Sequence, residues 1–409
     1  MFKKIIYHLI IVLILSFTIG AIVDRIEDKN PVIKAISEIR FSDLYFSIDN
    51  KLKPSSEIFI VDIGDKDPLK SREEIAIFIE KVNVNYKPKV IGVDVYFDAK
   101  YKEASINKRL ISALSDDNVI RAFKLEEKKF NKGKYRVFAD HSGIYHDSII
   151  DTKLKDGYTS GLGDPSHHTC VRFFKPSMKI NNKDHHHLSK LIAQKYLEES
   201  DKKFSSSINF NHKMMINYNV EFSQNRIDIN DSTRYHELKD KIVLIGINTY
   251  KNGKPYYNDD VHFTPKNKNY IGRSEKDSYG IEILGNIISN LINPKDALSY
   301  SPNFVKWLNR ILSLMIYIVL LYLFVSLNES FVFFKILSQT VGVLLLVLIS
   351  VAVIHYTNNY IDLSSAIAAM FISAEVVEVI EELLQRLPNY SKKILQNFSN
   401  LSKNKISNE

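Results

Sequence analysis

Four apolar stretches constrain this chain more than anything else in it, because each is about the length a helix needs, roughly 20 residues, to cross a hydrocarbon core of about 30 Å. Residues 5–23 contain no Asp, Glu, Lys or Arg; residues 304–327 hold only Lys306 and Arg310, near their start; residues 331–355 hold only Lys335. Residues 361–379 begin apolar and turn acidic at Glu375. Basic residues are retained on the cytoplasmic side. Lys3 and Lys4 therefore keep residues 1–4 inside, and the chain from residue 24 onward is delivered outside. The loop 356–360 has no Lys or Arg, whereas the tail carries Arg386, Lys392, Lys393, Lys403 and Lys405. The expected layout is one membrane helix (5–23), an extracytoplasmic domain (24–303), three further membrane helices (304–327, 331–355, 361–379) and a cytoplasmic tail (380–409). Both termini then lie in the cytoplasm of a multi-pass protein of the cell membrane. A cleaved signal peptide, with Thr18 and Gly20 as its small residues, is the competing reading of the first stretch. The length of the apolar run favours an uncleaved anchor.

Between the first two stretches the pattern is that of an α/β domain. Glu57 to Ile63 and Lys89 to Tyr96 are short apolar runs of strand character. Between them Ser71 and Glu74 form a capping box, and Ile75, Phe78, Ile79 and Val82 give the helix one apolar face. Strand, helix, strand reads as a βαβ unit in a mainly parallel sheet. A helix over 103–114, a strand over 119–123, a helix over 188–197, a strand over 214–218 and an edge strand over 226–229 follow. The domain closes with a buried strand over 242–247 and a helix in which Ile283, Ile287 and Leu291 recur every four residues. Residues 126–187 lose the periodicity and are rich in Gly, Lys, Asp and His; they are expected to form an insertion or lid.

Charge and cysteine content narrow the partners. The chain has 55 Lys+Arg against 47 Asp+Glu, a net +8, but the basic residues are spread through loops and form no stripe interleaved with aromatics, so nucleic acid is not expected. The single cysteine, Cys170, rules out a disulfide within the chain and does not identify the compartment.

Several segments carry a family resemblance: "FSDLYF" with "IFIVDIGD" (within 41–65), "KPKVIGVDVYFD" (87–98), "INYN" (216–219), "LKDKIVLIG" (238–246), an acidic residue ahead of "TP", and "GIEILGNIISNLI" (280–292). Together they resemble the CHASE domain of the second type, an extracellular sensory domain found joined to bacterial adenylate cyclases, histidine kinases and serine/threonine kinases. The three apolar stretches behind the domain resemble that family's usual layout. The resemblance implies a sensory role. Residues 380–409 are too few for a cyclase or kinase, so the signal is expected to pass to another protein.

Three groups of residues are candidates for chemistry. Asp62, Asp65 and Asp94 lie at or near the carboxyl ends of buried strands, and Asp260 and Thr264 belong to the loop after a third. Parallel neighbours would bring such carboxylates to one rim, where they could hold a cation or a cationic ligand. Helix capping and pairing with lysines is the structural alternative, and Thr264 also suits loop shaping. His167, His168 and Cys170, with His185 and His187, have the chemistry of zinc, copper or nickel ligands, although their spacing matches no familiar zinc motif. Solvated loop histidines, or a pH-sensing role, are the alternatives. Glu375, Glu378 and Glu382 share one helical face where the last span ends, either solvated or docking a basic partner.

No phosphate-cradling glycine loop, nucleophile elbow or His-Glu-x-x-His helix is present, and an enzyme is not expected. The expectation is a membrane-anchored receptor-like module that recognises an environmental signal and passes it to a separate cytoplasmic or membrane effector. The first alternative is a structural or interaction subunit of a membrane complex. The second is a metal-dependent surface enzyme using the histidine-rich insertion. The bilayer is a partner in every case, and a homodimer is compatible with the layout. No cofactor is expected; a divalent metal is the one group the histidines could hold.

Overall fold

The computed structural model describes residues 46, 52–64, 68–97, 104–130, 134–140, 156–159, 170–180, 182–205, 208, 210, 213–251, 253–256, 260–266, 276–293, 301–327, 331–357, 359–361, 363, 366, 367 and 370. Two compact units result, one built from residues 43–300 with 353–360 and the other containing residues 301–352.

In the larger unit the chain runs β1 (Ile58–Asp62), α1 (Pro68–Asn85), β2 (Val90–Val93), α2 (Ala104–Leu114), β3 (Val119–Phe130), β4 (Lys134–Asp140), β5 (Asp156–Tyr158) and β6 (Phe173–Phe174). A hairpin of β7 (Ser177–Ile180) and β8 (Lys183–His186) leads into α3 (Leu188–Glu198), followed by β9 (Met214–Met215), β10 (Arg226–Asp228), β11 (Ile242–Gly246), β12 (Val261–His262), β13 (Ser278–Tyr279) and α4 (Gly280–Ile292).

The sheet order is β10-β1-β11-β2-β3-β4, with β5 also on β3. Every pairing from β10 to β3 is parallel, and β3–β4 is antiparallel. The strand that enters the sheet last, β11, occupies its centre, with Ile242 opposite Ile58 on one side and Val90 on the other. All five residues of β1 and all five of β11 are buried, as expected of parallel strands covered on both faces.

Alternation along the strands sorts the apolar side chains into two cores. Phe59, Val61, Ile91, Val93, Val243 and Ile245 meet Ile75, Ile79 and Val82 of α1 and Leu110 and Leu114 of α2. Ile58, Ile60, Val90, Ile242 and Leu244 meet Leu188 and Ile192 of α3 and Ile281, Leu284 and Ile288 of α4. The unit is thus a three-layer α/β/α arrangement around a mainly parallel sheet.

The structure departs from the sequence-based reading in three places. Helix α1 begins at Pro68, a turn ahead of the capping box, and Ser71 is a buried residue of the helix. Proline's fixed φ suits the first helical position and moves the start forward. Residues 126–187 are not one irregular insertion: β3 continues to Phe130, β4 pairs back on it, and β7 and β8 form a hairpin. The segment "KLEEKKF" lacks apolar alternation, so the strand is silent in the sequence. The strand expected over 214–218 pairs with β6 only at Met214 and Met215.

The smaller unit contains α5 (Pro302–Leu327, 26 residues), and α6 (Phe331–Thr357, 27 residues) begins in it. Windows 303–320 and 336–357 reach mean hydropathies of 1.3 and 2.5, so both helices are long and apolar enough to cross a membrane. Large apolar side chains such as Phe304, Met315, Val319, Leu344 and Leu348 are exposed along them. Inside the unit, Asn309 donates to Val305 O and accepts from Ala366 N, and Ser350 donates to Ile361 O. Residues 5–23 and most of 361–379 lie outside the described residues.

Candidate functional site

The carboxyl rim of the sheet is built from the register of its three central strands. Gly246 of β11 is opposite Asp62 of β1, and the Asp94 N–H donates to Ile245 O at 2.9 Å, which sets Asp94 beside Gly246 on the other flank. Asp62, Gly246 and Asp94 form a cross-strand row. By the two-residue period the row continues Ile60, Leu244 and Gly92, so it faces the α3–α4 layer. A Cβ on Gly246 would approach Ile281 Cδ1 to 2.7 Å, so the missing side chain is what lets α4 come this close to the rim.

Asp62 is fully engaged in shaping the rim. Its Oδ1 accepts from Gly64 N at 3.0 Å and Asn248 N at 2.8 Å, and its Oδ2 accepts from the Thr249 hydroxyl at 2.8 Å. This bracket fixes the path of the chain leaving β11. Of the expected ligand residues, Asp62 therefore serves the loop, and Asp65 lies outside the described residues.

Asp94 and Asp260 do come together. The Gly280 N–H donates to Asp260 O at 3.0 Å, and a Cβ on Gly280 would stand 2.7 Å from Asp260 Oδ1. The Asp260 carboxylate thus rests against the first turn of α4, with His262 Nε2 at 3.3 Å. Asp94 keeps a little exposure, but its carboxyl is surrounded closely enough that desolvation, and then the Asp260 charge, push its pKa up to about 8. Beside it, Tyr96 and Thr159 share a hydroxyl–hydroxyl hydrogen bond.

Two residues past Gly246, on the chain leaving the central strand, comes Asn248, which is 0% exposed. Its backbone N–H serves Asp62, but neither Oδ1 nor Nδ2 has a hydrogen-bond partner among the described residues. Buried amides are nearly always paired, so this one marks the rim as chemically unfinished.

Two further polar clusters frame the site. Asp277 accepts from the Thr264 N–H at 2.7 Å and from its hydroxyl at 2.5 Å, and burial raises the Asp277 pKa against those bonds. Thr264 is therefore tied to Asp277. On the β10 side, Glu282 takes Arg226 at 3.2 Å and the Tyr250 hydroxyl at 2.8 Å, while the Arg226 guanidinium lies 4.2 Å from the Tyr250 ring centroid. Tyr279 closes this side by donating to Thr249 O and accepting from Tyr256 N.

The histidines are dispersed. His185 packs edge-on against Phe123 with centroids 5.7 Å apart, and His186 Nδ1 is shared with Ser177 and Lys190. His187 caps α3: its Nδ1 lies 3.2 Å from the Ser189 N–H and 2.6 Å from the Ser189 hydroxyl. Burial drives its pKa down to about 3. A neutral ring accepting the capping bond follows, a task that the sequence spacing does not announce. Among the described residues no three His, Cys, Asp or Glu are grouped to hold a metal. Cys170 is half-buried; His167, His168, Glu375, Glu378 and Glu382 lie outside the described residues.

Asn248, Asp277, Glu282 and Arg226 were not singled out by the sequence. Asn248 had one available signal: it follows a five-residue apolar run by two positions, in phase with the face that carries Gly246. No curated protein and no solved structure matches the chain. A family model described as the CHASE2 domain matches residues 9–327, which span β1 to the end of α5 and include every rim residue above. The chain belongs to the CHASE2 family, whose domain is an extracellular sensory module of bacterial signalling proteins.

Proposed function

We propose that this protein is a membrane-anchored extracytoplasmic sensor that reads a ligand at the carboxyl rim and passes the change across the bilayer to an effector. The sensory role of the family supports the first half. The layout proposed is a span at 5–23, the domain at 24–303, spans at 304–327, 331–355 and 361–379, and both termini inside. The exposed apolar side chains of α5 and α6 favour a lipid environment, since so much contiguous apolar surface is rare on proteins facing water.

One observation carries the mechanism: α4 begins at the acidic pair and, after nine residues that follow its last residue Ile292, the chain enters α5. Whatever moves the first turn of α4 against Asp94 and Asp260 moves a helix whose other end leads into a membrane-length one. A ligand shifts such an equilibrium only by its preference for one position of α4 over the other.

The test is topological. Alkaline phosphatase and a green fluorescent protein, each inserted near Asp201 in the loop after α3, report the side on which that loop sits. Phosphatase activity without fluorescence is expected; fluorescence without phosphatase activity overturns the proposal.

A further inference from the structure

We propose that the carboxyl rim binds a small molecule through a protonated primary amine, with the Asp94 and Asp260 carboxylates and the Asn248 amide oxygen as its acceptors. The inference deepens the sensor reading above and rests on it for its biological meaning, but the binding chemistry stands on the geometry of the rim.

The acidic groups around the rim differ in how far they are satisfied. Asp62 has three donors, Glu282 has Arg226 and Tyr250, and Asp277 has Thr264. Asp260 has His262 beside one oxygen. Asp94 is the exception: no donor reaches its carboxyl among the described residues, and its charged neighbour is the like-charged Asp260.

The second, independent observation is Asn248. It follows Gly246 by two residues on the chain leaving the central strand, is held by its N–H on Asp62 Oδ1, and is fully buried with neither amide atom partnered among the described residues. An amide in that position is costly for the protein alone and useful to a hydrogen-bonding ligand. The acceptors on offer are oxygens: two carboxylates, one amide and the Tyr96 hydroxyl nearby.

A primary ammonium has three donors and one positive charge, which fits two carboxylates and an amide oxygen once that charge has displaced the proton Asp94 otherwise keeps. A metal fits less well, because no three acidic, histidine or cysteine side chains converge among the described residues. Asp94 and Asp260 keep some exposure while Asn248 has none, so the amine enters past the carboxylates toward the amide.

The experiment is calorimetric titration and thermal unfolding of the full chain in an uncharged maltoside detergent. The probes are ethylammonium, ethanolammonium and putrescine at millimolar concentration, against tetramethylammonium, magnesium and calcium. Binding of the primary ammonium probes, with an upward shift in the unfolding midpoint, is expected. Tetramethylammonium has no N–H to donate and should not bind. Asp94→Asn keeps the shape of the carboxyl and should weaken the primary amines by roughly tenfold or more, the loss that follows removal of a charge-assisted hydrogen bond. Asn248→Leu removes the orphaned amide at similar volume. It should raise the unliganded midpoint while abolishing the response, a combination that a purely structural Asn248 would not give.

The proposal is overturned if tetramethylammonium binds as well as ethylammonium, if only magnesium or calcium binds, if Asn248→Leu binds undiminished, or if no amine affects the wild-type chain. Each of those results leaves the sensor reading standing as long as the inserted phosphatase is exported. A phosphatase confined to the cytoplasm removes the sensor reading whatever the titrations give.

Discussion

The Asn290 side chain makes both backbone hydrogen bonds of Asn217: Oδ1 accepts from the Asn217 N–H at 2.8 Å, and Nδ2 donates to the Asn217 carbonyl at 3.1 Å. One turn earlier, Asn286 Oδ1 accepts from the Val220 N–H at 3.1 Å. Helix α4 thereby supplies bonds that a neighbouring strand would give, up to the point where Val220 pairs in parallel with Lys53. The "INYN" and "GNIISN" segments are two halves of one hydrogen-bonded clamp.

Replacing Asn290 with Ala should therefore cost about 2–6 kcal/mol, because a buried N–H and a buried carbonyl both lose their partner and each is worth roughly 1–3 kcal/mol when orphaned. Asn290→Asp sets a second acceptor against the Asn217 carbonyl and buries a carboxylate, so it should be at least as destabilising as Ala. Urea unfolding of the three proteins, read by circular dichroism, checks the ranking. An alanine variant as stable as wild type would mean that the clamp contributes nothing.

Asp94 and His187 impose opposite pH slopes on folding. Asp94 is raised from 3.8 to about 8, so the folded state keeps a proton that the unfolded state releases; its contribution is complete below about pH 3.8 and is lost as pH rises through about 8. His187 is lowered from 6.5 to about 3, so the unfolded state gains a proton that the folded state refuses; its contribution is complete above about 6.5 and is lost as pH falls through about 3. The two oppose each other between about 3.8 and 6.5, and Asp94 alone acts from there to about 8. Unfolding midpoints measured from about pH 4 to 9, which cover most of the opposed window and the Asp94 slope above it, should show it. Asp94→Asn should flatten the fall above pH 6.5 and expose acid lability below it. His187→Asn, which preserves a capping acceptor, should do the reverse. Parallel profiles for both variants and the wild type would refute the assignment.

Gly285 sits where α4 crosses Phe222: an added Cβ would stand 2.6 Å from Phe222 Cζ and 3.1 Å from both Cε atoms. Alanine is the better helix former by about 1 kcal/mol, so propensity alone makes Gly285→Ala stabilising. A rigid ring buried at the contact cannot swing aside, and overpacking costs about 1–3 kcal/mol. Net destabilisation is expected, measured as a lower urea midpoint. Gly285→Ala combined with Phe222→Leu, which opens the contact, should recover part of it.

What the sequence disclosed follows from which forces leave a periodic trace. Buried parallel strands such as "IFIVD" and "IVLIG" are unbroken apolar runs, and α4 repeats its isoleucines every turn, so sheet and helix were legible. The acidic pair was half legible, since strand ends are countable while the approach of Asp260 depends on how a loop folds back onto Gly280. Asn248, the Asn286–Asn290 clamp and the His187 cap were not, because a polar residue reads the same in a sequence whether it meets solvent or a backbone amide. Strand β3 beyond Phe123 was hidden by the charges of "KLEEKKF".

Trp307 is the chain's single tryptophan, 59% exposed near the start of α5, with the Arg310 guanidinium 5.2 Å from its ring centroid. Tryptophan gathers at the headgroup level of bilayers, where its ring meets acyl chains and its N–H meets water. If α5 crosses the membrane, Trp307 belongs to that interfacial layer, and its fluorescence reports on it with no competing fluorophore of the same kind. In proteoliposomes the emission should be blue-shifted relative to free tryptophan. Lipids brominated close to the headgroup should quench it more strongly than lipids brominated near the chain ends, and aqueous iodide should quench it weakly. Full quenching by iodide with no response to either brominated lipid would place Trp307 in water, and α5 would then need another explanation for its exposed apolar surface. Quenching strongest from the chain ends would instead put the start of α5 deep in the bilayer and shift the boundary of the outer domain toward residue 293.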